Sequence, residues 1–372
     1  MSLTSRRLAA TLSLTIGAFL VLTACGGSDS GGSASSGSAS SGSAPSGSAS
    51  GSGSSEDSFV VGISTPQGAQ PILKATVDAF TAAAELDGIT VKTLDAQLDP
   101  SKQVTDIDQF VAQQVDAIVV YPLDANSLTP ALDRAEKAGI YLIGWAAIAK
   151  DGDLGVYASN VDTGGSYRGS DLLVNYVKEQ TGGVGNVLGV GLGFPVPALE
   201  AMMSNYENGV TEGSDMIWLG RVDNPTDDVA GAEKVVSSAL TKYQNDVQVV
   251  MAYNDSSSIG ASVAIKQAGI DDVLIVGQNG DQDGIAAVID GRTDATIDLV
   301  PWRTGLMLEA VTRAVLNGEK VPLWVESPTD LITIDNVGDD LPWPDALSQI
   351  KSGAISCAKG GGCPDDIVAL DG

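Results

Sequence analysis

The chain has 372 residues, with 47 acidic and 20 basic side chains and a formal net charge of −27. That balance repels polyanions, which excludes nucleic acid and an anionic bilayer surface as partners. There is no histidine and there are only three cysteines, so the usual ligand set of a transition-metal site is missing and no metal or cofactor is expected.

Arg6 and Arg7 precede an apolar run from Leu8 to Leu22 that ends in small residues. This is the layout of a secretory signal, too short and wrongly flanked for a spanning helix. Its last four residues, Leu22-Thr-Ala-Cys25, resemble a bacterial lipobox. The resemblance implies cleavage before Cys25 and lipidation of its thiol, with residues 1–24 as a lipoprotein signal peptide. An ordinary signal peptide with a chance cysteine is the alternative. A twin-arginine reading of SRRLAA lacks the Phe-Leu that should follow. Residues 25–57 are then the lipidated cysteine and a Gly/Ser linker that buries too little apolar surface to fold. A coil of that length reaches roughly 30 Å. The expected location is extracytoplasmic, on the outer face of the cell membrane, with the lipid as the only membrane contact.

From Phe59 short apolar runs alternate with helical patterns. FVVGI reads as a buried strand, and Leu73, Val77, Phe80 and Ala84 then recur at helical spacing. AIVVY, IYLIGW, VYASN, NVLGVGLG, MIWLG, VQVVMAY, VLIVG and ATIDLV follow, separated by helical stretches. Apolar strand runs alternating with helices indicate parallel sheets covered on both faces. The predicted class is α/β, with two doubly wound, Rossmann-like lobes. The tail from Pro328 is rich in Pro and Gly, and Cys357 and Cys363 within it read as a disulfide in an oxidising compartment, a free pair being the alternative.

Open α/β sheets bind ligands outside the carboxyl ends of their strands. The residues predicted there are Gln67 and Gln70, Tyr121, Trp145, Ser159 and Asn160, Phe194, Asn254, and Gln278 and Asn279. Amides supply donors and acceptors, and aromatic faces bury ring surface. Asp124 and Asp255 stand where helices begin and read as N-caps. The set points to a small, uncharged solute rich in hydroxyls or bearing an amide. The glycines of GVGLGFP lack phosphate-loop spacing and read as strand-end packing.

The stretch from Asn254 to Val300 opens on Asn-Asp and continues through Gly277-Gln-Asn-Gly280, DGIAAVIDG and ATI. In this order the motifs resemble the ribose-binding branch of the type I periplasmic binding proteins, and the wider pattern runs from about Ser58 to Glu326. The resemblance implies two lobes joined by a three-segment hinge around a ligand cleft, with residues 58–159 plus 300–324 in the N-terminal lobe and 160–299 plus 325–372 in the C-terminal lobe. It implies delivery of a solute to ABC permease subunits by a monomer. It also carries a ligand-binding Asn onto Asn254 and puts Asn279 where the family has an Asp. Ala146-Ala147 replaces the family's Asp-Arg, and the position of an expected Arg falls near Met202. These departures argue against a pentose site of the usual kind, and Tyr121 and Trp145 are read either as substitute ring-stacking surface or as core packing. The expected function is capture of a neutral sugar or polyol. The rivals are a nucleoside or other ring-bearing amide as ligand, a sensor for a membrane receptor, and a secreted enzyme. Against the enzyme, no catalytic residue is identified: there is no histidine, nucleophile elbow or apposed carboxylate pair. A gene regulator of the same core fold is excluded by the export signal.

Overall fold

In a computed structural model of the protein, residues 58–148, 150, 152–338 and 341–370 are described. The signal, Cys25 and the Gly/Ser linker lie outside them. None of the described helices is long and apolar enough to cross a membrane.

The first lobe starts with β1 (Val60–Thr65), α1 (Pro71–Leu86), β2 (Thr90–Asp95), α2 (Pro100–Ala112), β3 (Ala117–Val120), α3 (Ala125–Lys137), β4 (Tyr141–Trp145) and β5 (Ser159–Asp162). A π-helical turn, Gly165–Gly169, leads into the second lobe. That lobe holds α4 (Ser170–Thr181), β6 (Val184–Leu192), α5 (Pro197–Thr211), β7 (Asp215–Asn224), α6 (Val229–Lys242), β8 (Val249–Ala252), α7 (Asp255–Ala268), β9 (Leu274–Asn279), α8 (Gln282–Ile289) and β10 (Ala295–Asp298). The chain returns through α9 (Pro301–Leu316) and β11 (Trp324–Glu326), then crosses again to β12 (Asp330–Thr333). The sheet orders are β11-β5-β4-β3-β1-β2 and β12-β10-β9-β8-β6-β7. All pairings are parallel except that of β12 with β10. Strand order reverses beside β1 in one sheet and beside β6 in the other, and a ligand crevice opens at such switch points.

Alternation along each strand explains the layering. In the first lobe Val61, Ile63, Val119 and Ile143 feed the core on one face, and Ile118, Val120 and Leu142 feed the core on the other. Both faces being covered, the central strands read as unbroken apolar runs. β2 escapes that rule. It is an edge strand, TVKTLD, mostly exposed or half-buried, and it carries no apolar run to reveal it.

The sheets place the lobe boundaries past the residues expected from sequence. β5 pairs with β4 in the first sheet through Trp145 and Val161, so the first crossing follows Asp162 rather than Ser159. Val325 and Glu326 pair with Val161 and Asp162, so the third crossing follows Glu326. The tail is divided too. After β12 the chain returns to the first lobe, where α10 (Trp343–Lys351) packs on α1 and α11 (Asp365–Val368) on α9. Ile350 and Ile367 are fully buried there, which gives this segment an apolar reason to leave the second lobe. Cys357 and Cys363 are bonded, with Cα atoms 5.2 Å apart. Arg303 of α9 donates to Gly361 O at 2.9 Å in that loop and to Pro328 O at 3.4 Å in the third crossing.

Two crossings touch at Gly164. Its φ is +82°, and a Cβ there would lie 2.2 Å from Ser327 O, so only glycine fits. The lobes also share a packing device. A Cβ on Gly305 of α9 would stand 2.5 Å from Thr76 O of α1, and one on Gly260 of α7 would stand 2.4 Å from Val229 O of α6. Gly305→Ala gains up to about 1 kcal/mol of helix propensity. Forcing α1 and α9 apart costs roughly 1–3 kcal/mol, so the substitution lowers stability overall. A denaturant midpoint equal to or above the parent's would show that the two helices do not meet this closely.

Candidate functional site

The cleft between the lobes narrows to a cavity of about 80 Å³ lined from both sides. From the first lobe come Gln67 and Gln70 after β1, Tyr121 after β3, and Trp145 at the end of β4. From the second come Asp227 after β7, Tyr253 and Asn254 after β8, and Asn279 at the end of β9.

Asp227 organises the floor. One carboxylate oxygen, Oδ1, accepts from the Tyr253 hydroxyl and from Asn254 Nδ2 at 2.8 Å. The other, Oδ2, accepts from Gln67 Nε2 at 3.2 Å, and the Asp227 carbonyl accepts from Gln70 Nε2 at 2.7 Å. The last two bonds run from one lobe to the other. Burial pushes the Asp227 carboxyl above its usual range, while the hydrogen bonds from Tyr253, Asn254 and Gln67 act the other way. None of the residues lining the cavity is Lys or Arg. Asn254 does double duty, since its Oδ1 also caps α7 by accepting from Ser257 N at 2.9 Å. Tyr121 and Trp145 face one another with ring centroids 5.2 Å apart and planes tilted by 42°.

Of the residues selected from sequence, Gln67, Gln70, Tyr121, Trp145, Asn254 and Asn279 line this cavity. Four others do not. Ser159 and Asn160 begin β5 instead of ending a strand. Ser159 Oγ donates to Pro322 O at 2.7 Å, and Asn160 Oδ1 accepts from Ala147 N at 2.9 Å. Gln278 precedes Asn279 on the same strand, so its side chain points to the opposite face. There it donates to Gly165 O at 3.2 Å and to the Tyr206 hydroxyl. Phe194 lies beyond β6, half-buried against the core, while Leu192 and Val196 on either side reach the cavity.

Asp227 is not legible as a strand-end residue, because the apolar run MIWLG stops at Gly220 whereas β7 continues to Asn224. The remainder, RVDN, is polar because β7 is an edge strand. The cue was NPTDD directly before a helical pattern, a turn followed by an N-cap. That cap is Asp228, which leaves Asp227, at φ 54°, to face the cleft. Asp124 caps α3 as expected. Asp255 does not cap α7. It is buried, accepting from Thr296 Oγ1 at 2.6 Å and from Asp281 N at 3.1 Å, and burial with the neighbouring Asp281 charge drives its carboxyl well up. Among the described residues no group of His, Cys, Asp and Glu is arranged to hold a metal ion.

This architecture matches known proteins. Residues 61–320 match the family model described as a periplasmic binding protein domain. The chain belongs to that family. Ribose import binding protein RbsB of Bacillus subtilis is 25% identical over 285 residues, 76% of this chain and 90% of its own. A xylitol-binding protein of Mycolicibacterium smegmatis is 28% identical over 267 residues, 68% of this chain and 71% of its own. The crystal structure of a galactofuranose binding protein superposes with a TM-score of 0.69 at 22% identity, covering 79% of this chain and 99% of that one. The chain is thus a type I periplasmic binding protein of the sugar branch, and its relatives are substrate-binding components of transporters rather than enzymes.

The hinge of this binding protein holds a buried acid. Burial pushes the Asp162 carboxyl up to about 7; Gly164 N, donating at 2.8 Å, opposes the shift and the Glu326 charge adds to it. An unfolded Asp titrates near about 3.9, so the folded state holds an extra proton between these values. The associated stability is fully present below about 4 and is lost as pH rises through about 7. Asp162→Asn keeps an acceptor for Gly164 and removes the titration. The expected result is a higher Tm than the parent, with a larger increment at pH 8 than at pH 5. Equal increments at both would take the titration out of the hinge.

Proposed function

We propose that the protein captures a small neutral sugar or polyol between its lobes and delivers it to the permease subunits of an ABC importer. The observation that carries this reading is the convergence of both lobes on Asp227, around a cavity walled by aromatics and amides and without a basic residue. Contacts from both sides are what make closure depend on the solute. The named ligands of the relatives, ribose and xylitol, support the chemical class. The cavity is small, about 80 Å³. That suits a monosaccharide or short polyol, and disfavours a nucleoside. The ligand-contacting set we infer is Gln67, Gln70, Tyr121, Trp145, Asp227, Asn254 and Asn279. Lipidation at Cys25 holds the monomeric binding domain at the outer face of the membrane.

A thermal-shift screen over pentoses, hexoses, polyols and nucleosides tests the reading. A solute at 100 times its Kd stabilises the fold by about 2.7 kcal/mol. A shift with nucleosides and none with sugars or polyols would replace the proposed ligand class. With the solute in hand, Asn254→Ala removes a floor amide and leaves Asp227 short of a partner. An unsatisfied buried group costs about 1–3 kcal/mol. Calorimetry is expected to show Kd weakened roughly tenfold to a hundredfold. Raised salt should leave the parent affinity unchanged, since exposed charge plays no part; a steep dependence would mean a charged ligand.

The anchor has its own test. Cys25→Ser has no thiol to acylate and is expected to leave the membrane fraction or to stay unprocessed. Retention at the parent's level after a high-salt wash would reject lipidation.

A further inference from the structure

Two of the hydrogen bonds at Asp227 run directly from lobe to lobe, from Gln67 Nε2 to Oδ2 and from Gln70 Nε2 to the carbonyl. Such bonds draw the lobes together whether or not a solute lies between them. A solute enters through the open cleft, and its apparent affinity falls with the fraction of molecules that are open. A counterweight to these bonds stands in the second crossing.

That crossing runs from β10 to α9 through Leu299, Val300 and Pro301. Val300 has φ 44° and ψ 63°, in the left-handed region. Of the described residues other than glycine with positive φ, Val300 alone is β-branched. A Cβ is unfavourable in this region, and a branched side chain makes it more so. The ring of the next residue, Pro301, also presses its predecessor toward extended backbone. Val300 is therefore far from its preferred conformation, and hydrogen bonds on both sides hold it there. Leu299 N donates to Asn279 O at 3.2 Å and Val300 N to Asp298 Oδ1 at 2.8 Å, which fixes the chain up to Val300 on the second lobe. Val300 O accepts from Arg303 N at 2.9 Å and from Thr304 N at 3.3 Å, at the start of α9. α9 packs on α1 of the first lobe so closely that Gly305 has no room for a Cβ. Pro301 has its own φ locked by the ring. The torsions left to join the lobes at this crossing are those of Val300, and a rotation of one lobe against the other turns them.

We propose that Val300 is a loaded hinge residue: with the lobes together it is forced into the left-handed region, and its strain opposes closure until a solute fills the cleft. Leu299, Pro301 and Thr304 around it line the cavity, so a solute presses on the same segment that sets the resting balance. Strain of this kind acts on any solute the cleft takes, so the device stands apart from the sugar or polyol reading.

The lobe positions of the solute-free protein test this. Val300→Gly removes the Cβ and frees the left-handed region. Val300→Ala removes most of the same buried side chain and keeps the Cβ, so comparing the two variants largely cancels the lost packing. Spin labels on Ser101→Cys and Ala230→Cys, exposed at the starts of α2 and α6, report one lobe against the other by pulsed dipolar spectroscopy. From Val300→Ala to Val300→Gly the ratio of short to long separations is expected to rise about 5- to 30-fold, the effect of one Cβ in the left-handed region. If Val300→Gly does not fold, Val300→Asn, which tolerates that region, takes its place with a smaller rise expected in the same direction. Equal ratios in the compared variants overturn the proposal, because the strain would then be the same in open and closed protein. A parent protein that is closed throughout without added solute overturns it as well.

Discussion

A carboxylate taken out of water must be surrounded by donors, and Asp227 is surrounded by donors from two lobes. Tyr253 and Asn254 reach it from within its own lobe, and Gln67 and Gln70 reach it from across the cleft. Burial raises its proton affinity, and hydrogen bonds from both lobes oppose that rise. No basic residue lines the cavity to relieve the charge.

The remainder of the fold keeps this meeting point in register. Each sheet presents its strand ends to the same gap, because the two lobes repeat one strand order. Helix dipoles and caps are arranged around the gap as well. Asn254, beside Asp227 in space, opens α7, and Asp228, beside it in sequence, opens α6. The three crossings run side by side, with Gly164 against Ser327 and Arg303 tied to Pro328. By returning to α1 and α9, the tail adds a fourth passage between the lobes. Arg303 connects that tail, through Gly361, to the hinge.

Long apolar strands and well-capped helices were legible in the chain, because their signals are local. FVVGI, AIVVY and VQVVMAY announce central parallel strands by composition alone. The two edge strands were the weak points. β2 was not legible at all, and β7 appeared four residues too short, since edge strands keep polar residues on their open side. The second error hid Asp227, the residue on which the cleft turns. At β5 the pattern misleads the other way: VYASN reads as a strand ending at Ser159 and Asn160, which are its beginning.

By itself the sequence determined the class of fold and six of the residues that line the cleft. Those properties follow from periodicity, motif order and the rule that ligands gather at carboxyl strand ends, all of which are written in consecutive residues. Tertiary structure decided which neighbours face the gap, as with Asn279 and Gln278, where one step along a strand reverses the side chain. It also decided how many polar groups keep hydrogen-bonding capacity for a solute. That number depends on partners far apart in the chain, such as Gln67 and Asp227, and no local pattern encodes a hydrogen bond between residues 160 positions apart.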